Sequence, residues 1–297
     1  MKLPKAGFGL IAALLFGLST PLAKLAIRDI DALLLAGLLY LGSGVGLALV
    51  IAGRKIAGFQ NSLVTEGKKH EMRYLTGAII FGGLLAPVLL MAGLSRTDAS
   101  TSSLLLNLEG ALTALLACVA FQERYGKRLV IGLGFILGGG GILAWGHENA
   151  FSGNWAGVLL IAGACCGWAI DNNFTKQVNS MDATSLAALK GLVSGLVNVS
   201  LALLIGQRLP GPGRVAGAAA IGFVGYGLSL VCFILSLRSI GTARTSAYFS
   251  TAPFVGAAAS LVLLRERLGW AMLAAGLLMA VGVYLHLTEK PPLNKEA

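Results

Sequence analysis

Charge is what this sequence has least of. Asp, Glu, Lys and Arg together make up 12% of its 297 residues, roughly half of what a soluble domain carries. Histidine occurs only as His70, His147 and His286, and no two of these have the paired spacing of a zinc-binding helix. The cysteines, Cys118, Cys165, Cys166 and Cys232, all fall inside apolar stretches, which suits neither a disulfide framework nor a zinc site. No Gly-Lys-Ser or Gly-Lys-Thr accompanies the four glycines at 138–141, so they are not read as a phosphate-cradling loop. The clustered acid, base and metal ligands of an enzyme are missing, and so is a soluble domain large enough to hydrolyse a nucleotide. The net charge of +10 sits in short loops, without the basic stripe or aromatic ladder that nucleic-acid binding requires.

What the chain has instead is long apolar runs. They cover 7–27, 32–52, 74–94, 99–121, 129–146, 155–175, 183–205, 215–235, 243–264 and 268–287, each long enough to cross about 30 Å of hydrocarbon as a helix. The first follows Lys2 and Lys5 and has the outline of a signal peptide. Its length, its Pro21 and Lys24, and the nine runs behind it favour a membrane span. The polar connector at 147–154 divides the chain into halves, 7–146 and 155–287, with a polar tail at 288–297. Ten crossings force alternation between the two faces. Of 23 basic residues, 15 fall on the side of the amino terminus. Six fall on the other (Arg28, Arg96, Arg208, Arg214, Arg265, Arg267), and Lys24 and Lys190 lie within runs. This bias places both termini in the cytoplasm of a plasma membrane.

The halves repeat one another. ASTSSLLLNLEGALTALLACVAFQERYG at 99–126 returns as TSAYFSTAPFVGAAASLVLLRERLG at 245–269. A shift of 143 sets Ser103 on Ser246, Ala114 on Ala257, and Glu123, Arg124 and Gly126 on Glu266, Arg267 and Gly269. The repeated runs are the fourth and ninth, so they cross the membrane in opposite directions. The expected fold is an all-α integral membrane protein of ten transmembrane helices in two inverted-topology five-helix repeats.

Polar residues inside the runs are the candidate site. Glu109 lies near the middle of the fourth run, where a carboxylate can bind a cationic group, carry a proton, or form a hydrogen bond between helices. Asn107 is two residues away and points elsewhere around the helix. Asp171 and Lys190 are able to pair between the sixth and seventh runs, as a gate or as a plain tie. Trp168, Tyr226 and Tyr248 lie deep enough to stack on a substrate or to pack helices. Lys24 is expected to snorkel to the interface, where Trp145, Trp155 and Trp270 are also expected. Pro21, Pro87 and Pro253 each free a backbone carbonyl and predict kinks, usable for gating. Gly134 and Gly138, four apart, predict a face of close helix packing. Glu123 and Glu266 are expected to cap and pair locally, or to latch alternate conformations.

These features together resemble the EamA-type members of the drug/metabolite transporter superfamily, over residues 8–287 in two tandem copies. The residues that carry the resemblance are LEGALTALLACVAFQERYG and APFVGAAASLVLLRERLG at the ends of the fourth and ninth runs. FGLSTPLAKLAI, with Lys24 on the matching lysine, is similar to the family's first helix, and WAIDNNFTK to the start of its second copy. The family proline is kept as Pro253 and replaced by Gly110 in the first copy. The resemblance implies a central cavity between the halves and, frequently, export from the cytoplasm. The function expected from it is a secondary transporter or facilitator, an exporter of small polar metabolites such as amino acids. The alternative is a proton-coupled multidrug or toxic-compound efflux carrier; a membrane-embedded enzyme and a non-transporting scaffold are the remaining readings. The partners expected are a small-molecule substrate and the lipid bilayer, with no cofactor, metal, nucleic acid or obligate protein partner. Reporter fusions at Ala297 and within 58–67 are both expected to report the cytoplasm, and a periplasmic signal at either refutes this topology.

Overall fold

The computed structural model describes residues 7–57, 69–121, 126–145 and 154–288. Glu123, residues 146–153, which take in all of the connector but Asn154, and the tail beyond Thr288 lie outside the described residues. The described chain is helical throughout. The first span is α1 (Gly7–Ala26) and the second is α2 (Ala32–Ile56). The third is α3 (Lys69–Ala78), a π-helical segment (Ile79–Leu85) and α4 (Ala86–Leu94). The fourth is α5 (Ala99–Leu105) and α6 (Asn107–Phe121), and the fifth is α7 (Lys127–Trp145). The second half follows with α8 (Asn154–Gln177) and α9 (Ala183–Leu204). The eighth span is α10 (Pro212–Ile221), a second π segment (Gly222–Leu228) and α11 (Ser229–Ile240). The ninth is α12 (Thr242–Phe249) and α13 (Ala252–Leu263), and the tenth is α14 (Trp270–Leu287). Seven spans are long and apolar enough to cross a membrane as they stand; the fifth, ninth and tenth contain shorter apolar helices.

Local chemistry sets the ends. Asp31 and Asp182 each accept two backbone N–H bonds at the start of α2 and α9, satisfying donors a helix start leaves bare. Gly241 alone separates α11 from α12, at φ 83° and ψ 170°, a conformation open essentially only to glycine.

The repeat is visible element by element. The two π segments lie 143 residues apart. So do the starts of α5 and α12, and of α7 and α14. The fourth and ninth spans, read from the sequence as single runs, are both broken near their middles, at Leu106 and at Ser250–Thr251. The first break forms without the family proline, since Gly110 occupies that place. Pro253 begins α13 just after the second break. Pro21 leaves α1 unbroken from Gly7 to Ala26. The carbonyl it deprives of a donor, that of Gly17, faces Gly256, where an added Cβ would lie 2.9 Å from it.

Helices related by the repeat also pack on each other. α2 meets α9 through glycines: a Cβ on Gly44 would fall 2.7 Å from the carbonyl carbon of Gly191. α7 meets α14 symmetrically. A Cβ on Gly282 would fall 2.6 Å from the Gly132 oxygen, and one on Gly139 would fall 3.0 Å from the Ala275 oxygen. Here the structure corrects the sequence reading. Gly134 faces open space, and Gly138 meets only the tip of Leu278. The four-residue spacing named a face of α7, but the face that packs is the one bearing Gly132 and Gly139, because α14 lies on that side.

Lipid takes the opposite faces. On α1, Leu10, Leu14, Leu18, Leu22 and Leu25 are exposed, while Ala12, Ala13, Phe16 and Ala23 are buried. Trp155 and Trp270 are exposed at the starts of α8 and α14, on the face opposite the termini, as interfacial tryptophans are. Replacing Gly282 by Leu is expected to lower stability in detergent by about 1–3 kcal/mol through overpacking, with Gly134→Leu unchanged; thermal unfolding of the two variants checks this.

Candidate functional site

The site begins with a proline. Pro87 has no N–H, so it withholds one backbone donor from the carbonyls of the preceding π segment. In hydrocarbon such carbonyls must find other partners. Tyr40 Oη donates to the Gly82 oxygen at 2.8 Å and Trp168 Nε1 donates to it at 3.0 Å. Asn198 Nδ2 donates to the oxygens of Gly83 and Leu84 at 3.3 and 3.4 Å. Spans two, six and seven are thereby tied to the π segment of span three.

Tyr40 and Trp168 belong to the wall of a cavity between the halves. Phe16 is its hub, with ring centroids 5.8 Å from Trp168, 5.6 Å from Tyr226 and 5.3 Å from Phe249. Tyr40 stands 5.6 Å from Tyr226, and Phe233 stands 4.8 Å from Phe249. The cavity measures about 50 Å³, room for a few waters where one takes about 10–15 Å³. This conformation therefore holds no space for a metabolite without widening.

Glu109, Asp171 and Asn172 break the aromatic wall, and the hydroxyls of Ser43 and Ser229 belong to it as well. Asn172 Nδ2 donates to Glu109 Oε1 at 2.9 Å and to Thr113 Oγ1 at 3.2 Å. Asn173 Nδ2 donates to the Thr113 and Ala169 carbonyls at 3.0 and 2.9 Å, so α6 is fastened to α8 beside the carboxylate. Asp171 Oδ1 accepts from Lys190 Nζ at 2.5 Å and from Thr175 Oγ1 at 2.8 Å. Lys190 is 1% exposed and stands behind Asp171, off the cavity wall. Asp171 and Lys190 thus neutralise each other, while Glu109 accepts from the Asn172 amide and has no basic partner among the described residues. No Lys, Arg or His lines the cavity among the described residues.

Glu109, Trp168, Asp171 and Tyr226 therefore come together as site candidates, with Lys190 one shell back. Asn107 does not join them. Its amide donates to the Leu104 carbonyl at 3.0 Å and to Met279 Sδ at 3.7 Å, since residues two apart on a helix point apart. Tyr248 packs over Gly9 instead, and its neighbour Phe249 takes the cavity position. Phe16, Tyr40, Phe233 and Phe249 escaped the sequence analysis, because such aromatics look like any apolar residue in an apolar run. Asn172 stands out in the sequence as a polar residue beside Asp171 but was not among the site candidates.

Two cross-links lie on the face opposite the termini. Lys24 does not snorkel: its Nζ donates to the carbonyls of Leu94 and Thr97, both at 2.5 Å. Glu266 does not cap its own repeat. Its two oxygens accept from the backbone N–H groups of Ala99 and Ser100 at 2.9 Å, so a loop of the second half caps α5 of the first.

An inverted repeat of broken membrane helices around an internal cavity is an architecture found among secondary transporters. The chain belongs to the EamA-like transporter family, whose model matches residues 4–145 and 155–288. It is 26% identical to a probable amino-acid metabolite efflux pump of Salmonella typhimurium, over 95% of each chain. It is 24% identical to an uncharacterized transporter of Methanothermobacter thermautotrophicus, over 92% of this chain and 83% of that one. An uncharacterized inner membrane transporter of Escherichia coli is 22% identical over 97% of this chain and 91% of that one. A crystal structure with 16% identity superposes at a TM-score of 0.69, covering 95% of this chain and 96% of that one, which shows the shared fold.

Removing one member of a buried ion pair strands the other. Lys190→Met is expected to cost about 3–5 kcal/mol, and the double variant Asp171→Asn/Lys190→Met to recover much of it, as read by unfolding in detergent.

Proposed function

We propose that this transporter exports small metabolites bearing a cationic nitrogen, amino acids among them, across an inner membrane by alternating access. One observation carries the reading: Glu109 lines an aromatic cavity and has no basic partner among the described residues. An ammonium placed there would meet the carboxylate and, at the same time, the faces of Phe16, Trp168 and Tyr226, which attract cations. The similarity to the probable amino-acid metabolite efflux pump of Salmonella typhimurium supports amino-acid efflux. The cross-links by Lys24 and Glu266 support a state closed on the face opposite the termini, so the widening that admits substrate starts from the terminal face.

A second reading has a specific observation of its own. The cavity wall offers nothing cationic to a substrate carboxylate, which favours amines and organic cations over zwitterions, as in proton-coupled efflux of toxic compounds. Uptake and efflux in proteoliposomes separate the two, with amino acids and the matching decarboxylated amines as substrates, with and without a pH gradient. Glu109→Gln is expected to weaken transport of either substrate about 10-fold or more, the worth of a hydrogen bond to a charged group. A wild-type rate in this variant refutes the reading. Loss of gradient response with surviving transport identifies Glu109 as the proton carrier.

A further inference from the structure

On the face opposite the termini, one carboxylate joins the two halves. Glu266, in the loop between α13 and α14, accepts from the backbone N–H groups of Ala99 and Ser100. Lys24 holds the same turn from its other side, through the carbonyls of Leu94 and Thr97. The Lys24 contacts stay within the first half, so it is Glu266 that crosses between halves. Deeper in the membrane, α13 packs against both α1 and α5. A Cβ on Gly17 would fall 2.5 Å from the Ala252 oxygen, and one on Gly256 would fall 2.7 Å from Ser103 Oγ. The cavity extends the other way. Asp171, Gly191, Phe233 and Phe249 line it from the half of their spans nearer the terminal face. Two local costs accompany this arrangement. Arg265, immediately before Glu266, has φ 54° and is the one non-glycine residue at positive φ among the described residues, a conformation that disfavours a long side chain. Ser103 is buried, and its hydroxyl has no hydrogen-bond partner among the described residues, a cost that a paired hydroxyl does not bear.

We propose that Glu266 is a latch between the halves. Its two hydrogen bonds hold this face shut against the strain at Arg265 and the unpaired hydroxyl of Ser103, and their release begins its opening. A hydrogen bond to a charged acceptor shifts an equilibrium about 10-fold. The two costs pull the other way, so the closed arrangement is favoured without being locked. Lys24 is the positioning residue: by fixing the carbonyls of the turn it aims the amides of Ala99 and Ser100 at the carboxylate. The latch rests on the alternating-access reading and not on the substrate, so it can fail while the role of Glu109 stands.

Backbone hydrogen exchange of the full-length protein in lipid nanodiscs, read by mass spectrometry without substrate, tests this. E266Q keeps the size of the side chain but turns a donor toward one of the two amides. Exchange over 95–105 is expected to rise about 10-fold. Exchange over 178–186 and 242–249, on the terminal face, is expected to fall, because opening one face closes the other. E266A serves the same purpose if E266Q does not fold. S103A removes the unpaired hydroxyl and is expected to move both faces in the opposite direction. A rise confined to Ala99 and Ser100, with the terminal face unchanged, makes Glu266 a local cap and overturns the proposal. An unchanged S103A overturns it as well, and so does a change of the same sign in both variants.

Discussion

The backbone donor missing at Pro87 organises the centre of this protein. Inside hydrocarbon an unpaired carbonyl costs several kcal/mol, so Tyr40, Trp168 and Asn198 converge on Gly82, Gly83 and Leu84. The convergence does more than repair the helix. It commits the hydroxyl of Tyr40 and the indole N–H of Trp168 to the scaffold, which leaves their ring faces for the cavity. The wall presents aromatic rings with the carboxylates of Glu109 and Asp171 among them.

The same logic sorts the charges. A buried ion pair survives when its remaining hydrogen-bonding capacity is filled, and Thr175 helps fill it for Asp171 and Lys190. That pair is electrically closed and holds α8 to α9. Glu109 is held by Asn172 without being neutralised. The two acidic groups share a cavity wall, yet among the described residues only Asp171 has a basic partner.

Symmetry explains the frame around this centre. The helix pairs α2 with α9 and α7 with α14 join equivalent spans of the two halves through reciprocal glycine contacts. Between them lie the broken fourth and ninth spans, whose inner ends are free to differ. They do differ: the first half places Glu109 one turn past its break, and the second places Pro253 near the corresponding point. A repeated scaffold thus carries one unrepeated carboxylate, and Glu266 reaches across to cap the half that holds it.

The sequence by itself determined the ten apolar crossings, the internal repeat at an offset of 143 and the family, because span length and repeat identity are properties of the chain in order. It also picked out Glu109, Trp168, Asp171, Lys190 and Tyr226, since polar and aromatic residues stand out in apolar runs. Only the tertiary structure decided which face of each helix meets a neighbour. That choice moved the α7 packing face from Gly134 to Gly139, turned Asn107 and Tyr248 away from the cavity, and brought Phe16 and Phe249 into it. In lipid both faces of a span are apolar, so helical periodicity, which marks the buried face in water, does not mark it here. The facing residues are set by where the other helices lie, and by the carbonyls those helices must satisfy.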